Sequence, residues 1–141
     1  MKFLHFKGFH VVSYWFIHVF TFNSAEAITL FPFVIYRNKF IKAHEGTRIH
    51  EAIHIMQQIE CGLVGLLISG LILILSGSLL LSLPALLLFY ILYLVFFLVN
   101  LVRFKGRAYD EIPFEKEAYL NSNRSSYLGL RKPFSWIKYI K

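Results

Sequence analysis

One long apolar stretch constrains the fold of this chain more than any other feature. Residues 61–102 contain no charged side chain. A helix that crosses a bilayer needs about 20 apolar residues, so this stretch is long enough for two passes. Turn-forming residues at 76–78 and the helix breaker Pro84 divide it near its middle. We therefore predict an α-helical integral membrane protein with a hairpin of two spans, 59–79 and 84–103.

The composition agrees with a bilayer environment. Of the 141 residues, 57% are hydrophobic and 18% aromatic, against roughly 45 to 50% apolar residues in soluble domains. The formal net charge of +7 also occurs in nucleic-acid-binding proteins, but no nucleic-acid-binding module is visible and the basic residues flank the apolar passes. We therefore predict the lipid bilayer, and no nucleic acid, as a partner. Cys61 is the only cysteine, so no intrachain disulfide can form.

A histidine pair lies just before the apolar stretch, in the sequence His50-Glu51-Ala52-Ile53-His54. Residues four apart share one face of a helix, so His50 and His54 can offer imidazole nitrogens to the same cation. Glu51 lies about 100° round the helix, where it can reach a water on the metal and act as general base. This is the HExxH arrangement of zinc peptidases. We predict Zn²⁺ as the cofactor, with another divalent transition metal as the alternative.

A catalytic zinc site needs a third protein ligand and an open position. No histidine follows His54, so the third ligand must be a carboxylate near residue 115. Pro113 suits the first position of a helix that would carry it, predicted over residues 110–128. The carboxylates that follow Glu60 are Asp110, Glu111, Glu115 and Glu117.

The two motifs together resemble those of a known class of enzymes. HExxH at 50–54 followed by Glu115-Lys116-Glu117-Ala118-Tyr119 resembles the membrane gluzincin-type zinc metallopeptidases, such as the CAAX-prenyl endopeptidases and the heat-shock membrane zinc proteases. Those enzymes carry HExxH and a later Glu-x-x-Ala-Asp helix. The resemblance implies that Glu115 is the third metal ligand. Tyr119 stands where those families usually have Asp, so the resemblance assigns no role to this position.

A closer resemblance extends over roughly residues 28–141. The patterns HExxHxxQQxE at 50–60 and ExEAYxN at 115–121 are similar to those of small uncharacterised bacterial membrane proteins of about this length. This resemblance implies a location in a bacterial inner membrane, and it brings no known substrate.

Further polar residues are candidates for supporting the site or contacting a substrate. Gln57 lies three residues after His54 on the same helix face, so it could orient a ligand or a substrate carbonyl. The alternative is a polar side chain that is satisfied inside a small helix bundle. Nothing in the spacing assigns roles to the others. The full candidate set is Gln57, Glu117, Tyr119 and Asn121.

The hairpin predicts which elements meet. Two antiparallel passes over residues 59–103 return the chain to the side it left, so Glu115 should emerge beside the histidine pair. Basic residues flank both outer ends of the hairpin, and by the positive-inside rule both ends and the metal site should face the cytoplasm. These residues are Arg37, Lys39, Lys42, Arg48, Arg103, Lys105 and Arg107.

The segments outside the hairpin are less constrained. Residues 1–27 are apolar but short for a span, and they could dip into the membrane, lie on its surface or be a cleaved signal peptide. Residues 28–43, around Pro32, have a β-rich composition that predicts an extended edge segment, of the kind that gluzincins use to bind substrate backbone. The HExxH helix is predicted over 44–60. The tail at 129–141 mixes basic and aromatic residues, which is typical of an interfacial helix.

The sequence therefore favours a minimal zinc-dependent membrane metallopeptidase that hydrolyses peptide bonds of an unidentified peptide or protein substrate. The alternative is a non-catalytic membrane protein with a structural metal site, or with a partner-binding or regulatory role. Glu51 separates the two hypotheses, since a structural site has no use for a base. A transporter subunit fits less well because the spans contain no charge. The small size predicts a homo-oligomer or a larger membrane complex.

Overall fold

The computed structural model describes residues 7–21 and 25–140. It is mostly helical, with one small β-sheet. The chain forms two compact units, the first made of residues 1–56 and 117–135 and the second of residues 57–116 and 136–141.

The first unit contains a three-stranded sheet in the order β1-β3-β2. The strands are β1 (Phe9–Val12), β2 (Ala27–Leu30) and β3 (Phe33–Tyr36). β1 runs parallel to β3, whereas β2 is antiparallel to β3 and connects to it through the Phe31-Pro32 turn. A helix, α1 (Tyr14–Thr21), lies between β1 and β2 in the chain.

One face of this sheet packs on the first part of helix α3 (Glu45–Ser76). Val34 and Tyr36 are fully buried on this face. Gly8 has a positive φ of 78°, and a Cβ there would lie 3.0 Å from both Ile55 Cδ1 and Val34 Cγ2. Strand and helix are therefore in close contact around the HExxH turn.

The opposite face of the sheet is also apolar. The register aligns Phe9, Phe33 and Leu30 across the three strands, and the rings of Phe9 and Phe33 lie 5.9 Å apart. Both phenylalanines are about half exposed, at 57% and 47%. The antiparallel pair β2–β3 would in water usually have one polar face, so the apolar surface formed by these residues differs from that pattern.

The other helices of the first unit pack on the sheet or on α3. Helix α2 (Lys39–Ala43) is capped by Asn38, whose side-chain oxygen accepts a hydrogen bond from the backbone nitrogen of Ile41 at 2.9 Å. Ile49 and Ile53 of α3 pack with Ala118 and with part of the segment after it. Ala118 lies in α6 (Pro113–Asn121), whose later part belongs to this unit, and the segment after it contains α7 (Tyr127–Leu130).

The second unit contains a helical hairpin. α3 ends at Ser76, and Gly77 follows with a φ of 64°, which is the usual way in which glycine ends a helix. Ser78 then caps the next helix. The returning arm consists of α4 (Leu79–Ser82), a 3₁₀ segment (Leu83–Leu87) and α5 (Leu88–Arg103).

An aromatic core closes the second unit. Phe114, at the start of α6, is fully buried among Cys61 of α3, Phe89 of α5, Ile112 and Trp136. The rings of Phe114 and Trp136 lie 4.6 Å apart. Cys61 therefore acts as a small packing residue, as expected for a buried free cysteine.

Two helices are long and apolar enough to cross a membrane, as judged by length and composition. They are Glu45–Ser76 and Leu79–Arg103. Only 22% and 11% of their most apolar windows are buried within the protein. A core helix of a soluble protein is mostly buried, so the low burial sets these two helices apart from that class.

Several predicted boundaries differ from the structure. The first helix of the hairpin ends at Ser76, not at 79, because Gly77 ends it. The returning arm begins at Leu79, before the predicted residue 84, since Pro84 lies in the first turn of the 3₁₀ segment, where its missing N–H removes no helical hydrogen bond. The helix predicted over 44–60 starts at Glu45 and continues without a break into the apolar stretch.

The single extended edge segment predicted over 28–43 is confirmed only for β2, which is an edge strand. This stretch contains β2, β3 and α2, and β3 is the central strand. Pro32 lies in the turn, so it costs the sheet no hydrogen bond. The strand that makes β3 central is β1, which comes from the apolar N-terminal segment.

The N-terminal segment, 1–27, is partly described. Its described part contains β1 and the eight-residue helix α1, which is much shorter than the about 20 residues of a span. The membrane-dipping, surface and signal-peptide hypotheses remain untested, and residues 1–6 and 22–24 lie outside the described residues.

The C-terminal predictions also need correction. The helix predicted over 110–128 begins at Pro113, as expected for that proline, but ends at Asn121. The side chains of Asn121 and Ser122 donate to the carbonyls of Glu117 and Tyr119, which competes with a further helical turn. The tail at 129–141 is not one interfacial helix, because it contains a short 3₁₀ segment (Ser135–Tyr139) and its Trp136 is buried.

Candidate metal centre

The HExxH turn places its two histidines as the spacing predicts. The Nε2 atoms of His50 and His54 lie 3.1 Å apart, with His54 buried and His50 half-buried. Two nitrogen ligands at about 2.05 Å from a tetrahedral Zn²⁺ would be about 3.3 Å from each other. The imidazole pair is therefore already close to the separation that a shared zinc ion requires.

Glu115 lies in the first turn of α6, directly after the core residue Phe114. Its side chain is 3% exposed, and its Oε1 accepts a hydrogen bond from the hydroxyl of Tyr93 on α5 at 2.9 Å. The backbone beside it is held as well, because Gln57 of α3 donates from Nε2 to the carbonyl oxygen of Phe114 at 3.1 Å.

His50, His54 and Glu115 form a group that could hold a metal ion. One ligand atom from each residue lies within 4.8 Å of the other two. In the part of the chain that the structure describes, no other group of three or more His, Cys, Asp or Glu comes together in this way. Two imidazoles and a carboxylate are the donors of known catalytic zinc sites, so the residues fit the predicted ion.

Glu51, the predicted general base, is anchored to the sheet. Its Oε2 accepts a hydrogen bond from the hydroxyl of Thr29 on β2 at 2.5 Å, and both residues are buried. Burial and, second, the charge of Glu51 raise the pKa of Tyr36 well above its usual range, so the phenol stays protonated. A phenol that keeps its proton adds no second negative charge beside Glu51.

The pKa of His10 is lowered by burial and by the positive charges of Arg48 and Lys42. Its Nδ1 lies 2.8 Å from the hydroxyl oxygen of Tyr36, and the two rings are stacked. A neutral imidazole whose Nδ1 carries no proton can accept this hydrogen bond from the phenol.

The four supporting candidates have different positions. Tyr119 is on α6, and its ring meets the ring of His50 edge to face with centroids 4.7 Å apart. Gln57 holds the start of α6 through the carbonyl of Phe114. This contact fits a buried, satisfied polar residue and also lies beside Glu115, so both hypotheses for Gln57 stay predictions.

Glu117 and Asn121 make contacts within α6 and with the segment that follows it. Glu117 is fully buried and its Oε1 accepts hydrogen bonds from Arg131 Nε and from the hydroxyl of Tyr127, each at 2.7 Å. Asn121 donates to the carbonyl oxygen of Glu117 at 2.7 Å. These contacts attach the segment around α7 to α6, so Arg131 is a buried ion-pair partner and not the membrane-surface residue that the tail composition predicted.

Sequence reasoning missed Thr29 and Tyr93. Thr29 is separated from Glu51 by 22 positions in the chain, and Tyr93 is equally distant from Glu115. A hydroxyl in an apolar stretch is the one available signal for Tyr93, but Tyr90 gives the same signal and tyrosine is common at membrane interfaces, so the signal is not specific.

Comparisons with protein-family models, with curated proteins and with solved structures find no match to this chain. The resemblance of the two short motifs to membrane gluzincins therefore stays a prediction.

Proposed function

We propose that this chain is a zinc-dependent membrane metallopeptidase that hydrolyses peptide bonds. His50, His54 and Glu115 would hold the metal, and Glu51 would be the general base. The observation that carries the proposal is the convergence of the three ligand atoms within 4.8 Å, at an HExxH turn.

The types and order of the residues support hydrolysis. A zinc ion bound by two histidines and a carboxylate polarises a carbonyl group and lowers the pKa of water. Glu51 is adjacent to the first ligand in the chain and is buried, so its carboxylate is shielded from bulk solvent. Thr29 holds one oxygen of Glu51, and the other oxygen remains available to take a proton and deliver it to a leaving amine.

The membrane setting is also part of the proposal. The same helix that carries the histidines continues into an apolar stretch long enough to cross a bilayer. A site at the start of such a helix would lie near the membrane surface and act on peptides that reach that surface. We place it on the cytoplasmic side, because basic residues flank the two apolar helices.

A structural metal site in a non-catalytic membrane protein is the second candidate. The hydrogen bond from Thr29 to Glu51 favours it, since a carboxylate used as an anchor between helix and sheet need not be a base. Both candidates require the metal ligands, and only the peptidase requires Glu51 to move protons.

A measurement of metal content shows whether this group of residues binds a metal ion. We would measure zinc by elemental mass spectrometry in the detergent-purified full chain and in His54→Ala, Glu115→Ala and Glu51→Gln. Near-stoichiometric zinc is expected in wild type and in Glu51→Gln, with loss in the two ligand variants. His44→Ala and Asp110→Asn are matched controls, since both residues are exposed and outside the group. Wild type that takes up no zinc, even when zinc is added, would overturn the proposal.

Hydrolysis then separates the two candidates. The zinc-loaded wild type and Glu51→Gln would be incubated with a pooled library of synthetic peptides in detergent micelles, and new termini would be identified by mass spectrometry. The peptidase hypothesis expects cleavage by wild type and a loss of at least about 100-fold in Glu51→Gln with zinc retained. Zinc-loaded wild type that cleaves no peptide would favour the structural site.

A further inference from the structure

The second apolar helix of the hairpin contributes a side chain to the proposed metal centre. The hydroxyl of Tyr93 on α5 lies 2.9 Å from Oε1 of Glu115. Tyr93 and Glu115 belong to the same compact unit. Neither the HExxH motif nor the later Glu-containing motif includes this tyrosine.

The ring of Tyr93 is held in place by aromatic packing. It stacks on Phe114 with an interplanar angle of 5° and centroids 6.4 Å apart. On its own helix, the ring of Phe89 lies 6.0 Å away. Since Phe114 directly precedes Glu115, the packing that orients the tyrosine also orients the backbone that carries the carboxylate.

The hydrogen bond restricts how Glu115 can bind a cation. A phenol donates one proton, and Tyr93 directs it at Oε1. The bond restricts rotation of the Glu115 carboxylate, so it limits the orientations in which this side chain could ligate a cation.

We infer that Tyr93 is a positioning residue for the metal ligand Glu115, so that metal affinity depends on the α5 arm of the hairpin. This inference rests on the proposed metal centre and adds a residue to it. Hydrogen-bond partners of metal ligands typically change metal affinity by about 10 to 100-fold when they are removed. Phenylalanine at position 93 keeps the ring packing and removes the hydroxyl alone.

The test is zinc affinity of the metal-stripped full chain in detergent, measured by competition with a fluorescent zinc chelator. We expect Tyr93→Phe to bind zinc about 10 to 100-fold more weakly than wild type. Tyr90→Phe is the matched control, because it removes a hydroxyl of the same helix that donates to Gln58. Its affinity should equal that of wild type.

Two further measurements distinguish a loss of ligand positioning from a general loss of structure. The absorption spectrum of the Co²⁺-substituted protein reports ligand geometry and should change in Tyr93→Phe alone. The thermal midpoint of the metal-free protein should be the same in the two variants. Equal loss of affinity in Tyr90→Phe, or unchanged affinity and cobalt spectrum in Tyr93→Phe, would overturn the inference and leave the metal centre intact. Wild type that binds no zinc would instead overturn the proposed function.

Discussion

At the scale of single residues, the chain contains two carboxylates on α6 with opposite surroundings. Glu115 is held by a neutral phenol and lies with two imidazoles. Glu117, two residues later, is fully buried in an ion pair with Arg131. A carboxylate that already has a guanidinium partner is a poor metal ligand, since its charge is neutralised and its oxygens are used. The neighbours therefore decide which glutamate is available to a cation.

The ion pair predicts a large stability effect. Glu117→Gln should lower the free energy of unfolding by about 3–5 kcal/mol, because it leaves Arg131 charged and buried without its partner. The measurement is denaturant unfolding of the detergent-solubilised protein followed by circular dichroism.

A second ion pair, between α6 and the turn before it, provides the control. Glu111 pairs with Lys116, and both side chains are partly exposed, so Glu111→Gln should cost about 0–1 kcal/mol. The double variant Glu117→Gln with Arg131→Met should recover part of the stability, because it removes the uncompensated charge. Equal small effects of Glu117→Gln and Glu111→Gln would contradict a structural role for the buried pair.

At the scale of elements, the hairpin depends on close approach of its two arms. Small residues in the first arm, Gly62, Gly65 and Gly70, indicate a face for tight helix packing. The surroundings of the three glycines differ. A Cβ on Gly65 would clash with the carbonyl oxygen of Ala85, whereas a Cβ on Gly62 or Gly70 would meet nothing within 4 Å. Only Gly65 is therefore required by the packing of this hairpin.

Gly65→Ala should destabilise the hairpin by about 1–3 kcal/mol, because the obstructing atom belongs to the backbone and cannot rotate away. Gly70→Ala is the matched control and should be neutral or slightly stabilising, since alanine favours helix more than glycine does. Thermal unfolding in one detergent checks both variants. Similar midpoints would show that the arms separate easily at this position.

At the scale of the whole molecule, the question is whether the two apolar helices cross a bilayer. Ser76 and Asp110 are exposed, and they lie at opposite ends of the Leu79–Arg103 helix. Both cysteine variants would be treated with a membrane-impermeant maleimide in spheroplasts of an expressing bacterium. The reagent should label Ser76→Cys in intact spheroplasts, and it should label Asp110→Cys only after lysis. Wild type is the control, because its one cysteine is buried. Labelling of both positions without lysis would contradict the crossing.

Much of this protein is determined by local sequence. Gly77 determines where the long helix α3 ends and Pro113 where the short helix α6 begins, because backbone freedom and proline geometry act over a few residues. The same is true of the histidine pair, since positions four apart on a helix always share a face. The helical hairpin and the ligand pair were therefore predictable.

The tertiary structure decided the rest. β3 became a central strand through pairing with β1, and Arg131 was buried by Glu117, although local composition predicted an edge segment and a surface tail. Thr29 and Tyr93 reach Glu51 and Glu115 across 22 positions of chain. Contacts between residues so far apart depend on how elements pack, and no periodicity or spacing in the sequence records that packing. The sequence by itself determined the candidate ligands, and the tertiary structure determined which side chains hold them.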